Sequence, residues 1–317
     1  MSLLRAPATR GQPASLTGRR ILITGGSSGI GLAVAERLAQ VGGRLVLLAR
    51  GREAVTRAAA RVGGSAVVAD VSRADETEAA VQEAVRLLGG LDAVIAGAGA
   101  GAYGPFAEMD VEDYERAVQI TLLGTMNTVH AALPHLEESH GAIVVIGSVA
   151  GRVPAPWLAA YAAAKHGVRG FLRSLDGELR AQRRPVSVAL IAPGPVDTPF
   201  WQRAATPDQR LPPEIRGAYR AEDVAREVLR ALQHPGRLER SVGGLMAAAA
   251  MADALAPNLV QVPLGPLARL GWRARHERPP SPEDALSTPT SSVARSGGLS
   301  SRPSLLQRFR ELISAHP

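Results

Sequence analysis

The chain has no cysteine, a single lysine, two asparagines and few aromatic side chains. With Cys at 0 among 317 residues, disulfides, thiol nucleophiles and thiolate metal sites are excluded. The lack of cysteine fits a reducing compartment, and a cytoplasmic location is expected. Aromatic residues make up only 3%, so each one in a motif carries weight. No uninterrupted apolar run of bilayer length occurs. Residues 243–272 are strongly apolar, but Asp253, Pro257, Asn258, Gln261, Pro263 and Pro266 break them up. The N-terminal stretch, polar and holding Pro7 and Pro13, lacks the apolar segment of a signal peptide. The net charge is +7, yet the arginines are scattered without a long basic block. A nucleic-acid partner is therefore not expected.

Hydrophobic residues at 46% leave ample material for a core. From Arg20 to Val242, short apolar runs alternate with helical patterns. Strands are predicted at Arg20–Thr24, Arg44–Ala49, Ala66–Ala69, Asp92–Ala96, Ala142–Gly147, Val186–Ile191 and Leu238–Val242. Helices are predicted at Gly29–Val41, Glu53–Val62, Glu76–Leu88, Val111–Leu136, Trp157–Ala181 and Ala221–Gln233. Fully apolar strands alternating with helices imply a parallel sheet covered on both faces. Right-handed crossovers then require a doubly wound parallel sheet of the α/β class. The expected organisation is a flexible lead over 1–17, one domain over 18–242, an apolar cover over 243–275 and a mostly disordered tail over 276–317. Near the end, Leu305, Leu306, Phe309, Leu312 and Ile313 share one face of a short amphipathic helix.

The lone lysine is Lys165, in Tyr161-Ala162-Ala163-Ala164-Lys165. Four residues apart on a helix, Tyr161 and Lys165 share a face. An ammonium beside a phenol favours the phenolate and draws down a pKa that starts at ~10. That chemistry makes a tyrosine an acid and base near neutral pH. A lysine left by drift on a solvated helix face is the alternative, which this pair alone leaves open. A glycine-rich loop, Thr24-Gly25-Gly26-Ser27-Ser28-Gly29-Ile30-Gly31, joins the first predicted strand to the first helix. Such a loop lets a pyrophosphate approach the backbone at a helix N-terminus. A purely structural turn is the competing reading.

These motifs, with Ser148 standing 13 residues before Tyr161, resemble the short-chain dehydrogenase/reductase family. Asp70-Val71 is similar to its adenine-binding pair. Pro193-Gly194-Pro195-Val196-Asp197-Thr198 is similar to its Pro-Gly motif with the downstream threonine. The resemblance covers about residues 18–242 and implies a Rossmann-type fold, a nicotinamide cofactor, hydride transfer and no metal. It implies that Tyr161 is the acid/base, that Lys165 lowers its pKa and grips the nicotinamide ribose, and that Ser148 binds the substrate oxygen. The cofactor would lie against Thr24, Gly25, Ser27, Ser28, Gly29, Ile30, Gly31, Asp70, Val71, Ala98, Gly99, Tyr161, Lys165, Pro193, Gly194, Val196 and Thr198.

Arg50 ends the second strand, and no Asp or Glu lies between Glu36 and Glu53. That charge pattern suits a 2′-phosphate, so NADP is expected in preference to NAD; a surface arginine is the alternative. Two positions depart from the family. Ala96-Gly97-Ala98-Gly99 replaces its Asn-Asn-Ala-Gly, a change for sheet packing. Thr121, in Thr121-Leu122-Leu123-Gly124, stands where the family often has an asparagine supporting a water in the proton relay. Threonine keeps a hydroxyl but reaches less far. Asn127 lies nearly opposite on the helix and cannot substitute.

The sequence thus points to an oxidoreductase acting on a hydrophobic carbonyl/alcohol pair. Tyr103, Val153, Pro154, Trp157, Phe200 and Trp201 are the candidate substrate-pocket residues. The competing reading is a non-catalytic NADP-binding sensor or scaffold, favoured only by Thr121. A homo-oligomer is expected. Membrane contact through residues 243–272 is a less favoured alternative to their packing over the substrate mouth.

Overall fold

The structure, a computed structural model, describes residues 14–208, 210–211, 217–273, 275–277, 286, 288–290 and 293–297. β1 (Arg20–Thr24), α1 (Gly29–Gln40), β2 (Arg44–Ala49), α2 (Arg52–Arg61), β3 (Ser65–Val68), α3 (Ala74–Leu88) and β4 (Ala93–Ala96) form the first half. α4 (Val111–Val118), α5 (Gly124–Ser139), β5 (Ala142–Ile146), α6 (Ala159–Ala181) and β6 (Ser187–Pro193) form the second. Then come β7 (Val196–Asp197), α7 (Phe200–Arg203), β8 (Arg210–Leu211), β9 (Tyr219–Arg220), α8 (Ala221–Gln233) and β10 (Glu239–Val242). α9 (Gly244–Leu255), α10 (Pro257–Arg273) and β11 (His276–Glu277) follow.

The seven-stranded sheet has the order β10-β6-β5-β4-β1-β2-β3, and every pairing in it is parallel. Strand order reverses between β1 and β4. Crossovers leave these two strands on opposite sides of the sheet, so a crevice opens beyond their carboxyl ends. The strands are apolar on both faces because helices cover both. Leu22, Val46 and Leu48 point into one core, with Leu136, Val168 and Leu172. Ile21, Ile23 and Leu47 point into the other, with Leu32, Leu38 and Val228. This two-residue alternation follows from the pleat.

The predicted long helix Val111–Leu136 is not continuous. A wider π-turn at Gln119–Leu123 separates α4 from α5. Thr125 and Thr128 donate to the carbonyls four residues back, at 2.8 and 2.7 Å, a bonding that loosens helix geometry. Pro134 also lies within α5. α6 begins at Ala159 rather than Trp157, because Trp157 adopts φ 70°, outside the helical region.

The apolar stretch after β10 forms α9 and α10, with Pro257 opening α10 where its missing N–H costs nothing. No helix among the described residues is long and apolar enough to cross a membrane. In the N-terminal lead, Leu16 is buried and Ala14 donates to the Gln233 carbonyl at 3.1 Å; residues 1–13 lie outside the described residues. The amphipathic pattern of Leu305–Ile313 also lies outside them.

Asp92 joins the starts of β1 and β4. It accepts from the Arg20 backbone N–H at 2.8 Å and from its guanidinium at 3.0 and 2.6 Å. Burial pushes the Asp92 carboxyl up, but the hydrogen bonds and charge of Arg20 outweigh it and hold the group below its ordinary value. The stabilisation is therefore present above the unfolded value of ~3.9 and is lost as pH falls through the folded one. Asp92→Asn is expected to cost ~1.5–3 kcal/mol near pH 7 in denaturant unfolding, less whatever solvent screening removes. The difference from wild type should shrink in acid. A second expectation concerns the end of the chain. A variant ending at Val242 should aggregate, because α9 and α10 no longer cover apolar surface; light scattering on the purified variant checks it.

Candidate active site

One cavity of about 560 Å³ lies at the carboxyl ends of β1, β4, β5 and β6. Gly25, Ser27, Ser28, Gly29, Ile30 and Gly31 line one part of it. The loop needs its glycines: Gly25 has φ 70°, and a Cβ on Gly31 would be driven into the Gly25 carbonyl. Neither position admits a side chain without moving backbone. Arg50, Asp70, Val71, Ala98 and Gly99 line the same cavity, as do Pro193, Gly194, Val196 and Thr198. Ser148, Tyr161 and Lys165 complete it. Sequence positions up to 173 residues apart thus meet at one sheet edge.

Two expected site residues are placed elsewhere. Thr24 is buried and outside the lining. Its hydroxyl accepts from the Gly97 and Ala98 N–H groups at 3.2 and 3.3 Å, holding the loop after β4 against β1. Thr121 is fully buried. Its hydroxyl donates to the Ala100 carbonyl at 2.9 Å and accepts from the Ala100 N–H at 3.1 Å. The proton that a relay would use is committed to backbone. Asn127 instead donates to the Val71 carbonyl at 3.0 Å.

Lys165 is 6% exposed and donates to the Ile146 carbonyl at 2.7 Å. Its ammonium lies 5.6 Å from the centre of the Tyr161 ring. Burial pushes the Lys165 ammonium down to about 8. Burial also pushes the Tyr161 phenol up to about 12, against a hydrogen bond from Ser148 that acts in the opposite direction. The sequence led to a lowered phenol. The protein packed around the ring reverses that direction, since desolvation penalises the anion. Ser148 also accepts from the Ala150 N–H at 3.1 Å, which fixes its rotamer.

Two arginines in and beside the cavity carry no sequence motif. Arg203 of α7 lines it and donates to Ser28 Oγ at 3.1 Å. Arg116 of α4 pairs with Asp70 and bonds Ser72 Oγ at 2.6 Å. Burial raises the Asp70 carboxyl, but Ser72 and Arg116 prevail and hold it below its ordinary value. Arg50 lies 3.9 Å from the same carboxylate. The charge around Arg50 is therefore mixed, a contact invisible in the local sequence.

At the other end, Tyr103, Val153, Pro154, Phe200 and Trp201 line the cavity as expected, but Trp157 does not. Trp157 faces α10: its indole donates to the Ala268 carbonyl at 2.8 Å, and its ring lies 4.9 Å from Trp272. Trp272 also packs on Tyr103 at 5.9 Å. Arg275 covers Trp272 and pairs with Asp208 at 2.7 Å. These contacts hold α10 beside the aromatic end of the cavity. Trp157 pays for its positive φ, a strain of ~1–3 kcal/mol, with this packing.

The family model described as short chain dehydrogenase matches residues 19–209. The chain belongs to the short-chain dehydrogenase/reductase family. It is an oxidoreductase of that family, 32% identical over 273 residues to the uncharacterized oxidoreductase YxnA of Bacillus subtilis, covering 83% of this chain and 76% of that one. It is 38% identical over 195 residues to a hydroxysteroid 11-beta-dehydrogenase 1-like protein of Gallus gallus, covering 59% and 67% of the two chains. Among solved structures, levodione reductase superposes with a TM-score of 0.63 at 27% identity, covering 73% of this chain and 99% of that one. A short-chain dehydrogenase/reductase from Burkholderia phymatum, in complex with NAD, has a TM-score of 0.69 at 24% identity, covering 78% and 96%; that likeness concerns the fold.

The bonds of Thr121 lead to a stability test. Thr121→Val removes both partners of Ala100 at nearly constant volume. It should cost ~1–3 kcal/mol in denaturant unfolding, the penalty of leaving buried polar groups unpaired. Thr121→Ser, which keeps the hydroxyl, should recover most of it.

Proposed function

We propose that this chain is an NADP-dependent reductase or dehydrogenase that interconverts a hydrophobic ketone or aldehyde and its alcohol, with Tyr161 as the proton donor and acceptor. The observation that carries this reading is the meeting of Ser148, Tyr161 and Lys165 in the cavity that the glycine-rich loop also lines. A nicotinamide dinucleotide fits that lining: glycine backbone at a helix N-terminus for pyrophosphate, and arginines along its path. When bound, it supplies or accepts the hydride.

The chain's own residues handle the proton and the developing charge. Ser148 and the Tyr161 phenol line the cavity together, so both can donate to one substrate oxygen. A phenol at about 12 remains protonated at neutral pH, which suits proton delivery to a carbonyl. The buried Lys165 ammonium stabilises negative charge on the phenol as the proton leaves. It keeps its own charge below about 8 and loses it above. Tyr103, Phe200 and Trp201 present apolar area with few charges, which favours a hydrophobic substrate. Two relatives named for such substrates, a hydroxysteroid 11-beta-dehydrogenase 1-like protein and levodione reductase, support this reading. The non-catalytic alternative rests on Thr121, whose hydroxyl has a bracing role in the fold.

Arg50 and Arg203 both line the cavity and support NADP over NAD. Arg50→Asp should weaken NADPH by about ten- to a hundredfold, as expected for one charge-assisted contact, and NADH much less; equilibrium titration by nicotinamide fluorescence checks both. Lys165→Arg should keep the fold and cut turnover by about a hundredfold or more. For the wild type, reduction should fall as pH rises through about 8, where Lys165 loses its charge. That limb should vanish in Lys165→Ala. A Lys165→Arg enzyme with normal turnover would refute the role of the ammonium.

A further inference from the structure

We propose that residues 286, 288–290 and 293–297 form a strap that closes over the cofactor cleft and limits how fast the cofactor enters and leaves. This rests on reading the cleft as a nicotinamide dinucleotide site. The segment belongs to the tail whose Pro/Ser/Thr-rich composition suggests disorder, yet its described residues cross the cleft from end to end. At the Asp70 end, the Leu286 carbonyl accepts from Arg50 Nη1 and from Arg116 Nε, both at 3.1 Å. Leu286 itself is 1% exposed. At the glycine-rich loop, the Gly29 N–H donates to the Ala294 carbonyl at 2.7 Å. At the Pro-Gly loop, Ser296 Oγ donates to Asp197 at 2.7 Å, and the Gly297 N–H to the same carboxylate at 3.2 Å.

The approach of the two chains is close. A Cβ on Gly51 would meet the Thr290 carbonyl, and one on Gly297 would meet the Thr198 carbonyl. The strap roofs the cavity and does not fill it. Thr288 and Thr290 are part of the lining, and about 560 Å³ remains beneath them, within the ~300–1,000 Å³ of ligand sites. Space for a ligand remains beneath the strap, but the Gly29 N–H and Arg50 donate to strap carbonyls, so the strap must shift as a cofactor enters or leaves. Its contacts suit a gate. They are mainly hydrogen bonds of a short segment, with little apolar burial beyond Leu286 and Val293, and such segments open at low free-energy cost.

One anchor lies outside the cavity. Arg295 pairs with Glu36 at 3.1 Å and Glu222 at 2.8 Å, and none of the three lines the cleft. Arg295→Glu replaces attraction by repulsion without touching the cavity wall. Gly297→Ala pushes the strap from the Pro-Gly loop by a different route, and Arg295→Lys keeps the charge.

The test is stopped-flow nicotinamide fluorescence on the full chain. It follows association of NADPH, then its release into excess NADP. Release and association should both quicken by about tenfold or more in Arg295→Glu and Gly297→Ala, with Arg295→Lys close to wild type. Unchanged release in both disrupting variants overturns the strap. Faster association and tighter binding at unchanged release also overturn it, because the segment would then be an occupant that competes with the cofactor. If neither wild type nor variants bind NADPH or NADH, the reading of the cleft fails, and the strap falls with it.

Discussion

The reversal of strand order between β1 and β4 is the constraint on which the rest depends. A parallel sheet sends all its carboxyl ends to one edge, and crossovers in opposite directions leave a gap there. Everything chemical in this protein hangs from that edge. The glycine-rich loop follows β1, Arg50 follows β2, and Asp70 follows β3. Ser148 follows β5 and the Pro-Gly loop follows β6. The candidate site residues of the sequence include two that maintain this edge. Thr24 ties β1 to the loop after β4, and Thr121 ties that loop to the π-turn. Their hydroxyls serve the backbone whose position the cofactor cavity needs.

Burial then sets the chemistry. Tyr161 and Lys165 lie on one helix face, as their spacing requires, Lys165 buried and Tyr161 partly buried, and desolvation is the main influence on both. The phenol moves up and the ammonium moves down, each toward its neutral form. A phenol raised to about 12 holds its proton at neutral pH. The same principle acts oppositely at Asp70, where hydrogen bonds and Arg116 overcome burial.

The segments after β10 make this chain more than a bare doubly wound domain. α10 is tied to the aromatic end of the cavity through Trp157, Trp272 and Arg275. Leu286 reaches back to the opposite end, beside Arg50. The segments after β10 thus border both the aromatic end and the Asp70 end of the cavity.

The sequence by itself determined the fold class, the strands of the seven-stranded sheet with their flanking helices, and much of the cavity lining. Hydrophobic runs of strand length, helical periodicity and glycine placement are local properties, and local properties survive in a one-dimensional reading. Tertiary structure decided the rest. The turn of Trp157 toward α10 and the bracing role of Thr121 arise from contacts between distant segments. So do the arrival of Arg203 at the cavity and the neighbourhood of Asp70 with Arg116 and Arg50. The direction of the Tyr161 shift was likewise beyond the sequence, because a neighbouring charge is visible as a spacing of four, whereas desolvation sums over every atom that folding brings around the ring.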